Sequence, residues 1–122
     1  MKLDRVFRVN KLFSFYGPLL TDRQQEFVEL YYYHDLSLGE IAEQQEISRQ
    51  AVYDNLKRSE SALEDYEKKL GLAKHYEKVN QELDKLEKIF TTLSEGIFSE
   101  NELKQFEKTL KRLKKYQEGE SV

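Results

Sequence analysis

Ser48, Arg49, Gln50, Tyr53, Lys57 and Arg58 fall within one short stretch of the chain, and their types are those that contact nucleic acid. Arginine can grip a guanine edge or a phosphate, glutamine can bond adenine through two hydrogen bonds, and tyrosine can stack or donate to a phosphate. The spacing supports a shared surface. With Val52 and Leu56 turned inward on a helix, Gln50, Tyr53, Asp54 and Lys57 turn outward, while Arg49 lies in the first turn. Asp54 opposes this chemistry, because a carboxylate on the same face repels phosphates unless it accepts from a cytosine amino group. The alternative is an ordinary solvated helix face without nucleic acid, and the residues alone leave both readings open.

The elements that would position these side chains run from Ser37 to Arg58 and form a helix-turn-helix pattern. Ser37 can accept from the orphan N–H groups that open a helix, and Glu40 three positions on can reach back to complete a capping box. Ile41 and Ala42 face inward, where the small Ala42 lets a second helix approach closely and Ile47 fills the corner. Ser48 then caps the second helix, which carries Val52 and Leu56 as its buried stripe.

The run Leu20-Thr21-Asp22-Arg23-Gln24-Gln25, the stretch Leu36 to Glu43 and the string Ile47 to Arg58 together resemble region 4 of bacterial sigma factors. The chain is more closely similar to the YlxM family of small helix-turn-helix proteins, and the likeness covers nearly its whole length. It departs from the sigma-like pattern at Glu46, a corner position often held by Gly, at Gln45, where a buried Leu is usual, and at Asn55, where an aliphatic residue is usual. The resemblance implies an accessory or regulatory role in the signal recognition particle pathway. Its ligand would be DNA, the particle's RNA or the particle's GTPase.

Composition favours an all-α protein of 122 residues, with 35% charged residues and a single Pro. A chain of this length buries one modest core, so one compact unit plus an extension is expected, with a helix-turn-helix domain over 1–70 and a helical extension over 71–122. The absence of Cys rules out disulfides and Cys-based zinc sites and fits the cytoplasm. No stretch reads as a signal peptide or a membrane span. Twenty Lys and Arg against twenty-three Asp and Glu give a net charge of −3, and neither 1–58 nor 59–122 shows the basic surplus usual in nucleic-acid binders.

The first helix is expected over Asp4 to Tyr16, with Val6, Phe7, Leu12, Phe13 and Tyr16 in helical rhythm and Gly17-Pro18 as its stop. Thr21 and Gln24 form a second capping box, opening a helix through about Tyr33 with Phe27, Leu30 and Tyr31 on its apolar face. Consecutive Tyr31, Tyr32 and Tyr33 cannot share one face, so at least one is exposed. They read as core-rim rings or, alternatively, as a stacking platform for bases, although no Arg or Lys is interleaved with them. The helix begun at Ser48 continues through Leu63, Tyr66 and Leu70 to Gly71.

Beyond Gly71, Leu72, Tyr76, Val79, Leu83, Leu86, Phe90 and Leu93 alternate spacings of four and three, the repeat of a narrow packing seam. Ser94-Glu95-Gly96 interrupts it, and a third capping box, Ser99 with Glu102, opens a helix bearing Leu103, Phe106, Leu110 and Leu113. These two helices form a hairpin or a coiled-coil dimerisation region. A homodimer is expected through Tyr76, Val79, Leu83, Leu86, Phe90 and Leu93, since a symmetric pair is the commonest way to close such a seam. The tail after Tyr116 is polar and expected to fray.

Catalysis has little support in this pattern. His34 and His75 stand alone, and the five glycines form no phosphate loop. Glu82, Asp84, Lys85, Glu87 and Lys88 read as a solvated face with i, i+3 and i, i+4 pairs. No metal, cofactor or enzymatic activity is therefore expected. Two functions remain: a nucleic-acid-binding or regulatory protein, or a protein-interaction adaptor in which the helix-turn-helix is only a scaffold.

Overall fold

The computed structural model describes residues 2–117, which divide into two compact units, the first ending at Ala73 and the second beginning at Lys74. Among the described residues every regular element is helical. The order is α1 (Lys2–Tyr16), a short 3-10 turn (Gly17–Leu19), α2 (Asp22–Val28), a π-helical turn (Glu29–Tyr33), α3 (Leu38–Gln45), α4 (Arg49–Leu70), α5 (Leu72–Leu93) and α6 (Glu100–Gln117). The frayed tail expected after Tyr116 lies mostly outside the described residues.

Local chemistry starts these helices. Thr21 and Gln24 exchange hydrogen bonds at 3.1 Å, Ser37 and Glu40 do so at 2.9 and 3.1 Å, and Ser48 Oγ accepts from the Ala51 N–H at 3.0 Å. Each satisfies N–H groups that a helix start otherwise leaves open. The bonds from Ser37 also hold the Glu40 carboxyl below its usual range.

In the first unit α1, α2 and α3 all pack on α4, which buries Val52, Asn55, Leu56, Ser59 and Leu63. The facing side chains are Val9, Leu12 and Tyr16 of α1, Phe27 and Val28 of α2, and Ile41 and Ala42 of α3. The rhythm expected for α1 needs one adjustment: Val9 points into the core, whereas Phe7 is 63% exposed. Buried positions 9, 12 and 16 step by three and four, and Phe7 falls off that stripe.

Tyr16 joins the ends of α4 and α5. Its hydroxyl donates to Glu67 Oε1 at 2.6 Å and accepts from the Leu72 N–H at 3.0 Å, while the Ala73 N–H donates to the same carboxylate oxygen at 3.0 Å. Tyr16 and Glu67 thereby satisfy two N–H groups that the start of α5 leaves open. Burial and the Glu67 carboxylate raise the phenol's pKa and keep it a donor.

The second unit is a helical hairpin. Phe90 of α5 stacks on Phe106 of α6 with ring centroids 3.6 Å apart, Leu110 is buried, and Gln117 Nε2 donates to the Tyr76 carbonyl at 3.1 Å. Lys114 bridges Asp84 and Glu87 at 3.2 and 3.4 Å, which raises its pKa. Ser99 and Glu102 form their expected reciprocal bonds at 2.9 and 3.2 Å.

Between α3 and α4 the chain turns through Glu46 at φ 58°, the left-handed region, and the Ile47 N–H closes the corner onto the Ala42 carbonyl at 3.0 Å. A side chain there costs about 1–2 kcal/mol, and glycine avoids that cost while losing more freedom on folding. Glu46→Gly is expected to stabilise the protein by about 0.5–1 kcal/mol, and Glu46→Val to destabilise it, as read by thermal melting. A glycine variant that melts lower would show that the Glu46 side chain makes a contact the corner depends on.

Candidate nucleic-acid interface

The first three turns of α4 place the predicted contact residues on one side of the corner. Ser48, Arg49, Gln50, Tyr53 and Arg58 are exposed, and Lys57 is half-buried. Val52, fully buried, and Leu56 define the face opposite Gln50, Tyr53 and Lys57, as a 3.6-residue repeat requires, whereas Arg49 lies on the side of Leu56 and is exposed in the first turn.

Their side chains are not all idle. Ser48 Oγ is engaged as a helix cap. The Arg49 guanidinium lies back over Gly39, so closely that a Cβ at Gly39 would fall 2.9 Å from Nη2; the glycine makes that approach possible. Gln50 Nε2 donates to Asp54 Oδ1 at 2.9 Å, an i, i+4 pair that occupies part of the carboxylate's accepting capacity without removing its charge. Lys57 Nζ stands 5.5 Å from the centre of the Tyr53 ring, within cation–π range.

Three further residues border this face that sequence spacing could not assign to it. Arg5 of α1 and Tyr31 and Tyr32 of the π-helical turn meet Tyr53 and Lys57 around an open cleft whose floor includes Glu60. Tyr32 donates to Glu60 Oε2 at 2.7 Å and Arg5 Nε donates to Glu60 Oε1 at 3.0 Å. Burial, then the bond to Glu60, raises the Tyr32 pKa strongly, and the Glu60 partnership raises that of Arg5. Of the three consecutive tyrosines Tyr33 is exposed and the other two are half-buried, as their spacing implies. The cations absent between the tyrosines in sequence come to their neighbourhood from α1 and α4.

Electrostatics do not favour polyanions over the whole first unit. Residues 1–73 carry ten Lys and Arg against thirteen Asp and Glu, a difference of −3; residues 74–122 carry ten of each. Arg5 is paired with Glu60, and Arg8 Nη2 with Glu64 Oε1 at 2.8 Å, so two of the ten cations are directed toward α4 carboxylates. The Arg8 bond holds the Glu64 carboxyl below its usual range.

The seam residues of the second unit fall into two sets. Tyr76, Val79, Leu83 and Phe90 are half-buried, whereas Leu86 is 49% and Leu93 68% exposed. His34 and His75 are exposed, and among the described residues no group of His, Cys, Asp or Glu could hold a metal ion. No helix of the described residues is long and apolar enough to cross a membrane.

Comparison with known proteins adds a lineage to this geometry. Residues 3–96 match the family model described as "Putative helix-turn-helix protein, YlxM / p13 like". A UPF0122 protein of Limosilactobacillus reuteri is 53% identical over 88 residues, covering 72% of this chain and 78% of that protein. One from Lactococcus lactis is 53% identical over 92 residues, covering 75% and 83%. One from Listeria monocytogenes is 47% identical over 112 residues, covering 91% and 96%.

The rotation of α4 can be checked by stability. Val52→Asp is expected to unfold the first unit or lower its melting temperature severely, because it puts an unpaired carboxylate against Ile41 and Ala42. Gln50→Ala is expected to change stability by no more than roughly 0.5 kcal/mol, as at other solvent-facing sites. A normal melt for the first, or a loss of several kcal/mol for the second, would mean that α4 is turned otherwise.

Proposed function

Because the chain belongs to the YlxM/p13-like helix-turn-helix family, we propose that it is a small nucleic-acid-binding regulatory protein of the cytoplasm, a binding rather than a catalytic protein. The observation that carries this reading is the capped α3–α4 corner, which presents Gln50, Tyr53 and Lys57 on the exposed face of the second helix, with Arg49 exposed in its first turn. That is the face which, in DNA-reading helix-turn-helix proteins, enters the major groove. The family resemblance supports the signal recognition particle pathway as the setting, with DNA or the particle's RNA as ligand. A specific observation favours a second reading, in which the motif is a scaffold and a protein such as the particle's GTPase is the partner: the unit that carries the motif has a charge of −3, and Asp54 lies within the contact face.

Salt dependence separates the two readings, since each phosphate neutralised releases counterions. Arg49→Ala combined with Lys57→Ala is expected to flatten the log–log salt dependence of binding by up to about 1.8, at roughly 0.9 per contact on duplex DNA, while Asp54→Asn tightens non-specific binding. Equal affinities and slopes for all these proteins, on duplex DNA and on structured RNA, would favour the adaptor.

We further propose that the second unit self-associates. Its hairpin buries Leu110 and stacks Phe90 on Phe106, yet Leu86 and Leu93 of the same α5 repeat stay exposed together with Ile89. A second copy would cover them. Sedimentation is expected to show a dimer, and Leu86→Lys to shift it toward monomer, because a charge in the seam must desolvate or separate the helices. An unaltered protein that sediments as a monomer would contradict this assembly.

A further inference from the structure

The charge that the first unit lacks is gathered on one face of α6. Lys104, Lys108, Lys111, Arg112 and Lys115 are all exposed. At about 100° per residue they fall within a wedge of roughly 100°. That wedge lies opposite the inward stripe of Leu103, Phe106 and Leu110, and Glu100 and Glu107 lie outside it, toward one edge. No ion pair to any of the five is formed among the described residues; Lys114, which is paired with Asp84 and Glu87, is on another side of the helix.

Two ordinary explanations account for only part of this stripe. The helix dipole favours cations in the last turn, which covers Lys114 and Lys115 but not Lys104, Lys108 or Lys111. Solvation alone needs no single sign, and the exposed face of α5 shows the usual outcome: Lys78, Lys85 and Lys88 alternate with Glu82 and Asp84, and Lys85 pairs with Glu82 at 3.6 Å.

We infer that the outward face of α6 is a binding surface for the phosphate backbone of a nucleic acid. From Lys104 to Lys115 the stripe extends about 16 Å at 1.5 Å per residue, a length over which a small anion could meet only one or two of the cations. A nucleic-acid backbone presents charge along the whole of that length. Asn101 and Gln105 are the amide side chains on or beside this face, and its five cations suit phosphates, so its main contribution is affinity and orientation rather than sequence choice. α6 also lies beyond residues 3–96 matched by the family model. The inference rests on the nucleic-acid reading above, but it does not require α4 to be the contact.

The test uses the full chain and measures binding to duplex DNA and to a structured RNA at several salt concentrations. Lys108→Gln with Lys111→Gln and Arg112→Gln is expected to flatten the salt slope by up to about 2.7 on DNA and correspondingly on RNA, the nucleic acid with the larger change being the better ligand. Lys78→Gln with Lys85→Gln and Lys88→Gln makes the same change in net charge on α5 and is expected to leave the slope as it was. Helicity and melting of both triple variants should match the parent, since every altered side chain is exposed. Equal flattening by both triples, no flattening by the α6 triple, or no binding of the parent protein at low salt would overturn the surface. So would α6-dependent binding to phosphatidylglycerol vesicles with an unchanged nucleic-acid slope. A slope that responds to Arg49→Ala with Lys57→Ala and not to the α6 triple would remove this surface and leave the α4 reading standing. The reverse would retain α6 and remove α4.

Discussion

Burial of one stripe of α4 is the constraint on which the first unit depends. Val52, Leu56 and Leu63 lie at steps of four and seven along a 22-residue helix, and α1, α2 and α3 each pack against part of that line. Between the apolar positions sit Asn55, 8% exposed, and the fully buried Ser59, whose hydroxyl donates to the Asn55 carbonyl at 2.9 Å. The buried hydroxyl is thus satisfied within the helix itself, and no partner helix has to supply an acceptor. Because the stripe is fixed, so is the opposite face: the same rotation that buries Val52 exposes Gln50 and Tyr53. The packing face and the candidate contact face are two sides of one periodicity.

Electrostatics are arranged around the same helix. Glu60 and Glu64 would leave the middle of α4 strongly acidic, and Arg5 and Arg8 of α1 answer them. Of the two pairs, Arg8–Glu64 is exposed on both sides, and pairs of that kind contribute little to stability. The larger effect of both pairs is on the surface potential, and one of the two carboxylates they neutralise, Glu60, lines the tyrosine-bordered cleft. The first unit nonetheless stays acidic, whereas α6 concentrates cations on a face that packing does not use. Any polyanion would meet a surface whose favourable regions are local, at the start of α4 and along α6, rather than a molecule that is basic as a whole.

Much of the fold was legible because its determinants are local. The reciprocal pairs at Thr21 and Gln24, Ser37 and Glu40, and Ser99 and Glu102 lie three residues apart, and Gly71, at φ 64°, ends α4 where its backbone freedom suggests. The all-α class and the buried positions Ile41, Ala42, Val52 and Leu56 follow from composition and the 3.6-residue repeat. What could not be read depends on partners far along the chain. Tyr16 meets Glu67 and Leu72 more than fifty residues away, and Arg5 meets Glu60 at a similar separation. The π-helical turn at Glu29–Tyr33 has no marker residue of its own. Within the candidate interface, residue type suggests Gln50 for adenine and does not reveal its bond to Asp54, although the pair has i, i+4 spacing, and the approach of Arg49 to Gly39 needed the angle between α3 and α4. The α6 stripe is present in the sequence, but the net charge of 59–122 hides it: α5 is neutral, with four Lys against four Asp and Glu, and the carboxylates at the end of α4 together with Glu95, Glu118 and Glu120 outweigh the surplus of α6.

Nuclear magnetic resonance of the isotope-labelled full chain, titrated with duplex DNA and with a structured RNA, tests most directly whether this helix-turn-helix is an interface or a scaffold. Backbone amides of Ser48 to Tyr53 are expected to shift on addition of at least one of the two nucleic acids, while buried positions such as Val52 keep their hydrogen-exchange protection and the mixed-charge face of α5 stays silent. Titrations with both that leave residues 48–58 unmoved would contradict this expectation.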